Sequence, residues 1–279
     1  MGERSYKVGR NVSRWLGAVE CLGLPTASRL LYDAYSGISK KNHYEISVPG
    51  LSQSIHIRRK STDINVFMQI FAMGEYALDS FAQSSGIFER YNHLVSLGVS
   101  PLIIDCGANS GMATLWWRKM FPLARIVAIE AAADNFEALK KNTRGDSAIK
   151  CVHAAVWSHK TTVKLDNPAD DMWAFRFSEQ STPSSEVASG LTNTVTIPEI
   201  VEEEAAWESL LLVKIDIEGG ERQLFSENTE WIGRVPLIII ETHDSLQPYD
   251  KTSLNFFRAV SAYDFEVCFS GENAFVYLS

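Results

Sequence analysis

The stretch Leu102-Ile103-Ile104-Asp105-Cys106-Gly107-Ala108-Asn109-Ser110-Gly111 decides the fold. Its first half is a short apolar run ending on an acidic residue; its second half places glycine among small and polar residues. Met112, Leu115, Trp116 and Met120 then recur at helical spacing. A buried strand, a glycine turn and an amphipathic helix, in that order, open a parallel α/β sheet whose ligands lie beyond the carboxyl ends of the strands. Glycines at such a turn let the backbone reverse sharply and come close to a ligand.

Downstream the same unit repeats. Arg125 to Glu130 reads as a second strand, Ala133 to Asn142 as a second helix and Ile149 to Trp157 as a third strand. This βαβ spacing predicts parallel strands with right-handed crossovers. Leu210 to Ile217 and Leu237 to Glu241 restore strand character with helix signal between them, and Phe265–Phe269 and Ala274–Leu278 form a closing antiparallel hairpin around Gly271-Glu272-Asn273. Between them, 166–190 is Ser-rich, carries Pro168 and Pro183 and reads as an inserted surface loop.

Upstream, residues 1 to about 45 are helical and amphipathic, with Trp15, Leu16, Val19 and Leu22 at helix spacing. Tyr44–Val48 and Ser54–Arg58 alternate across Pro49-Gly50 as a hairpin, and Ile64 to Tyr76 is helical. The expected division is 1–95, a helical and hairpin extension on the lid or acceptor side, and 96–279, the ligand-binding catalytic domain.

Composition narrows the function. A chain of 279 residues with 46% hydrophobic content can bury one full α/β core. A formal net charge of -8 argues against nucleic acid, whose phosphates need a broad face of Lys and Arg. The compact basic run His56-Ile57-Arg58-Arg59-Lys60 reads as a solvated strand end. Cys21, Cys106, Cys151 and Cys268 are scattered, with no metal-ligand spacing, and read as free thiols of a cytoplasmic protein. Met1 to Tyr6 is charged, and the apolar stretch Trp15 to Leu24 is short and carries Glu20, so neither a signal peptide nor a spanning helix is expected.

The turn Asp105-x-Gly107-x-Asn109-x-Gly111 competes with the dinucleotide fingerprint GxGxxG, which seats a pyrophosphate on a helix N-terminus. Asn109 stands where the second glycine of that fingerprint belongs, and an acidic opening residue suits a ligand with a cationic end. Glu130 closes the second strand about 20 residues on, where an acidic side chain meets a ribose in such folds.

Four strings carry a resemblance to the FkbM-type methyltransferases: Ile104 to Gly111, Ala128-Ile129-Glu130, Lys214-Ile215-Asp216-Ile217-Glu218-Gly219-Gly220-Glu221 and Glu241-Thr242-His243. The similarity extends back to Ser61–Ile64 and Gly74-Glu75-Tyr76. It departs at Ala131, where the family commonly has proline. The resemblance implies an α/β, Rossmann-like class I methyltransferase sheet, mostly parallel with a C-terminal antiparallel hairpin. It implies S-adenosylmethionine (SAM) as cofactor, S-adenosylhomocysteine as product, and methylation of a hydroxyl on a sugar, glycolipid or secondary metabolite. N-methylation of a small molecule and a non-catalytic SAM-binding protein are the alternatives; an NAD-linked oxidoreductase is disfavoured by Asn109.

On this reading Asp105, Gly107, Asn109, Gly111 and Glu130 hold SAM, with Ala131, His153 and Ala154 around the adenine. His243, beyond the fifth strand, is the candidate base because an imidazole titrates near neutrality, with Asp216 as its rival and Glu241 orienting the ring. Tyr76, Trp173, Phe175 and Phe177 are candidates for the acceptor, a small molecule or glycan. Lys214 is expected in an internal ion pair with a carboxylate. Asp216, Glu218, Glu241 and His243 can converge on one edge, but no ligand spacing demands a divalent metal and none is assigned. A homo-oligomer is left open.

Overall fold

In a computed structural model of the chain, the described residues are 13–35, 42–166, 176–179, 191–204, 207–245 and 248–279. The chain opens with helix α1 (13–22) and α2 (Leu24–Tyr35), then the hairpin β1 (His43–Ile46) and β2 (Ile55–Arg58). The hairpin is antiparallel, pairing Tyr44 with Ile57 and Ile46 with Ile55, and these four side chains are buried. Helix α3 (Asp63–Phe67) runs into one π-helical turn at Met68–Ala72, so the helical signal that begins at Ile64 stops short of Tyr76. Gly74, at φ 64°, turns the chain there. Helix α4 (Ser84–Ser96) leads to the main sheet.

That sheet contains β3 (Leu102–Cys106), β4 (Arg125–Glu130), β5 (Ile149–His153), β10 (Leu210–Ile215), β11 (Leu237–Glu241), β12 (Phe265–Ser270) and β13 (Asn273–Leu278). Helices α5 (Met112–Met120) and α6 (Ala133–Asn142) connect its first three strands. The spatial order is β12-β13-β11-β10-β3-β4-β5, parallel from β5 to β11, with β13 antiparallel to both neighbours. Counted in chain order these seven strands run 3-2-1-4-5-7-6, the class I methyltransferase arrangement. The order reverses between β3 and β10, and the crevice at their carboxyl ends is where such sheets bind ligands.

Successive strand residues face opposite sides, so the sheet divides two cores. Ile103, Ile126, Leu212, Ile239 and Phe275 pack with α5, the hairpin and α3. Ile104, Val127, Val213, Ile238 and Val276 pack with Ile197, Leu224, Trp231 and Phe256, which lie on or beside α7 (Ile197–Glu204), α8 (Glu221–Leu224) and α9 (Leu254–Val260). The N-terminal elements therefore share a core with the sheet.

Three sequence expectations are corrected. The run Ile149 to Trp157 is not one strand: β5 ends at His153, and β6 (Ala155–Val156) pairs with β9 (Leu191–Val195) in a second sheet of order β6-β9-β7-β8. The stretch 166–190 is not loop throughout, because β8 (Arg176–Glu179) lies within it and pairs antiparallel with β7 (Thr162–Asp166). Residues 167–175 and 180–190, with Trp173 and Phe175, lie outside the described residues, as do 1–12. Finally, the fourth strand stops at Ile215; Glu218 and Gly219 adopt φ 54° and 92°, so Asp216 and Glu218 leave the strand alternation.

The basic run is not a simple solvated end either. Arg58 pairs with buried Asp63 at 2.8 Å and donates to Asn135 Oδ1 at 2.9 Å. His56 N donates to Asn142 Oδ1 (2.7 Å), while Asn142 Nδ2 donates to the carbonyls of His56 (3.0 Å) and Ser110 (2.8 Å). One buried asparagine thus ties the hairpin to the glycine turn. No helix of the described residues is long and apolar enough to cross a membrane.

Asn142→Ala strands the partner groups of three hydrogen bonds around a buried position, at about 1–3 kcal/mol for each that water cannot reach. A lowered urea midpoint with an unchanged slope is expected, corresponding to a loss of about 2–4 kcal/mol. A change under about 0.5 kcal/mol, the scale of an ordinary surface substitution, would mean the tie contributes nothing.

Candidate active site

The turn after β3 is built on close backbone approach. Gly107 has φ 79°, and a Cβ there would stand 1.7 Å from the Asp216 carbonyl oxygen. Gly111, at φ 89°, caps α5, and a Cβ there would press to 2.9 Å from Leu139 Cδ1. The amides of Gly107 and Ala108 both donate to Ile129 O, at 3.0 and 2.8 Å, fastening the turn to β4. Beside it opens a cavity walled by Gly107, Asn109, Glu130, Ala131, Ala154 and Asp216, among others. Glu130 accepts from Asn109 N (2.7 Å) on Oε2 and from Ala132 N (2.8 Å) on Oε1. Burial raises its pKa and the two amides oppose the rise, with a net upward shift. Each carboxylate oxygen offers two lone pairs, so both can accept once more from a ligand.

Three predicted cofactor residues stand behind this wall. Asp105 is fully buried, 3.3 Å from Lys214 Nζ, and accepts from Thr114 Oγ1 at 2.6 Å. Gly111 shapes the start of α5. His153 is exposed, stacked on Phe136 at 4.7 Å, and donates from Nε2 to the Ala131 carbonyl at 3.1 Å, so it braces Ala131 from outside.

A second cavity of about 380 Å³ lies on the other side of the turn. Gly107, Asn109, Asp216 and Glu218 line both cavities. The second adds Gln69, Glu75 and Tyr76 from the N-terminal elements, and Lys214, Glu241, His243 and Glu272 from the sheet and its closing hairpin. Tyr76 packs on Trp117 with ring centroids 5.3 Å apart. Glu75, buried, accepts from Gln69 Nε2 (2.8 Å) and Asn273 Nδ2 (3.1 Å). Sequence reasoning assigned no role to Gln69, Glu75 or Glu272. The signal for Glu75 was its place in the Gly74-Glu75-Tyr76 string that shares the family resemblance.

At the centre of this acidic wall sits His243, only 2% exposed. Its Nδ1 is 3.0 Å from Glu221 Oε1, and its Nε2 faces Asp216 (3.6 Å), Glu218 (3.5 Å) and Glu241 (3.7 Å). Burial works against a charged ring, but the Glu221 hydrogen bond and the charges of Glu221, Asp216 and Glu218 outweigh it and lift the imidazole to about 10. So surrounded, the ring holds its proton more tightly than the near-neutral imidazole expected from the sequence. Burial and the Asp216 charge raise Glu218 to about 7 and Glu241 to about 8.

Lys214 supplies the counter-charge. It is buried, donates to Gly107 O at 2.9 Å, pairs with Asp105, and lies 3.5 Å from Asp216 Oδ2. Burial alone lowers its pKa; the carboxylates of Asp105 and Asp216 reverse the shift and hold it well above the ordinary lysine value. Removing one partner of a buried pair leaves an uncompensated charge, so Lys214→Met should lose about 3–5 kcal/mol in chemical denaturation. The double variant Lys214→Met with Asp105→Leu should recover much of that loss. A double variant no more stable than Lys214→Met would show that the buried charge was not the cause.

The chain is 33% identical to "Methyltransferase sdnD" of Sordaria araneosa over 61 residues, 22% of this chain and 24% of that protein. The match thus spans about a quarter of that curated relative. Similar solved structures include the precorrin-6y C5,15-methyltransferase of Geobacter metallireducens (14% identity, TM-score 0.33, covering 67% of this chain and 84% of that one). A putative O-methyltransferase from Klebsiella pneumoniae aligns at 14% identity and TM-score 0.35, over 71% and 81% of the two chains. The fibrillarin of Aeropyrum pernix, solved with S-adenosyl-L-methionine, aligns at 11% and 0.34, over 64% and 66%. Residues 105–267, more than half of the chain, match the methyltransferase FkbM domain, and the chain belongs to that family.

Proposed function

We propose that this protein transfers the methyl group of SAM to a hydroxyl of a small molecule or glycan. The observation that carries the reading is the shared wall: Gly107, Asn109, Asp216 and Glu218 border both cavities, so a donor in one lies beside an acceptor in the other. SAM takes the cavity beside Glu130, whose oxygens receive the ribose hydroxyls, while Gly107, Asn109, Ala131 and Ala154 form the walls. Asp105, Gly111 and His153 act at one remove, holding the turn and Ala131 in place. The N-terminal segment 1–95 brings Tyr76 and Glu75 to the acceptor. The four cysteines, none paired, support a cytoplasmic location.

When bound, SAM would supply an activated methyl group to the acceptor oxygen, and the carboxylate cluster would take the hydroxyl proton. Little covalent work falls to the protein, which mainly aligns the two reactants. Asp216, at the junction of the cavities, is positioned to take the proton. Glu241 and His243 complete the cluster around it.

Calorimetry with SAM and S-adenosylhomocysteine tests the donor site. Both should bind, and Glu130→Ala should weaken SAM by roughly tenfold to a few hundredfold, the worth of two hydrogen bonds to a charged acceptor. Unchanged affinity in a folded variant would rule out the ribose contact, and binding of NAD in place of SAM would rule out the reaction. Asp216→Asn should lower labelled methyl transfer to hydroxyl-bearing acceptors by about 10²-fold or more while leaving SAM bound. Transfer within a few-fold of wild type would remove Asp216 from the proton step.

A further inference from the structure

The acidic cavity carries a donor arrangement that a proton relay does not need. Nε2 of His243 has three carboxylate oxygens around it at 3.5–3.7 Å, all beyond the roughly 2.7–3.2 Å of an N–H···O hydrogen bond. Donor atoms about 2.0–2.2 Å from a common cation stand about 2.8–3.6 Å from one another, for octahedral and tetrahedral angles. Asp216, at 3.6 Å from Nε2, stands at the upper end of that range, and Glu241, at 3.7 Å, just beyond it.

From this we infer that Asp216, Glu241 and His243 bind one divalent cation in the acidic cavity. Nε2 and one oxygen from each of the two carboxylates all lie within 4.8 Å of one another. The ring is also held in place from behind: His243 is 2% exposed and lines the cavity, with its other nitrogen fixed by Glu221, a carboxylate with no exposure at all. A buried carboxylate accepting from Nδ1–H leaves the Nε2 lone pair for a metal, the arrangement that commonly orients ligating histidines. Ile217 N donates to the same Glu221 oxygen at 3.2 Å, which fixes that carboxylate in turn.

Charge favours a cation as well. Glu75, Asp216, Glu218, Glu241 and Glu272 line this one cavity, against Lys214 and His243. An ammonium group would gain from the carboxylates but nothing from an imidazole, which offers a donor atom to a metal and only repulsion to another cation when protonated. One imidazole with carboxylates suits Mn²⁺ or Zn²⁺ ahead of Ca²⁺. A role for the cation in catalysis, lowering the pKa of a bound hydroxyl, rests on the methyl-transfer reading; the binding itself does not.

The test reads binding without turnover. The full chain, stripped with chelator, is titrated with Mn²⁺ and free ion followed by electron paramagnetic resonance, with Zn²⁺ calorimetry in parallel. One saturable site per chain is expected, weakened at least tenfold by His243→Ala and by the near-isosteric Glu241→Gln. His43→Ala, in the separate His43, Glu45 and His56 group on the hairpin, should leave it within about twofold. Near-UV circular dichroism identifies any variant that fails to fold, and the folded one of the pair then decides. Absence of saturable uptake, uptake unchanged in the folded variant, or uptake lost with His43→Ala would each overturn the assignment.

Discussion

The buried pair of Lys214 and Asp105 is the constraint on which the site depends. The two residues are register partners on β10 and β3, the strands at which the sheet order reverses. A lysine only 2% exposed is tolerable because its charge is met by Asp105 and Asp216 and its remaining hydrogens find backbone carbonyls, at 2.9 Å to Gly107 and 3.5 Å to Cys106. The same ammonium therefore holds the glycine turn, fixes the aspartate at the cavity junction and cements the two central strands. Hydrophobic packing on either face sets the sheet; this polar link sets what its carboxyl edge presents.

Around that link the chain gathers more carboxylates than the local cations can balance. Glu75 arrives from the N-terminal elements, Glu241 from the end of β11, Glu218 from a left-handed turn and Glu272 from the closing hairpin. Burial first, and then the charge of Asp216, raise Glu218 to about 7 and Glu241 to about 8. Glu130, in the other cavity, is instead stabilised by two backbone amides. The two cavities thus differ: Glu130, held by backbone amides, belongs to one alone, while Glu75, Glu241 and Glu272 add to Asp216 and Glu218 in the other.

The sheet was legible because its strands are unbroken apolar runs separated by glycine turns and amphipathic helices. Leu102 to Gly111 reads the same way in sequence and in structure, as does the hairpin ending at Leu278. What escaped reading depends on contacts distant in sequence. Nothing local to Ile149 to Trp157 shows that Ala154 breaks the run and sends Ala155 and Val156 to pair with a strand some forty residues on. The four residues of β8 carry too little periodicity to emerge from a Ser-rich stretch. Asp216 and Glu218 look like strand alternation until the Asp216 carbonyl meets Gly107, an approach that only the folded chain reveals. Asp105 reads as a ligand contact because its motif precedes the turn, yet its charge is consumed by a lysine more than a hundred residues away.

The common wall between the cavities has a thermodynamic consequence. Asp216 faces both spaces, so a charge placed in one alters the potential met by an occupant of the other. Such an effect on affinity is reciprocal by necessity, whichever side is filled first. If a cationic occupant of one space becomes neutral, the carboxylate loses a competitor and its attraction for positive charge across the wall increases. The two compartments are therefore linked without any hinge or moving domain, through a side chain whose position is fixed from behind by a buried lysine.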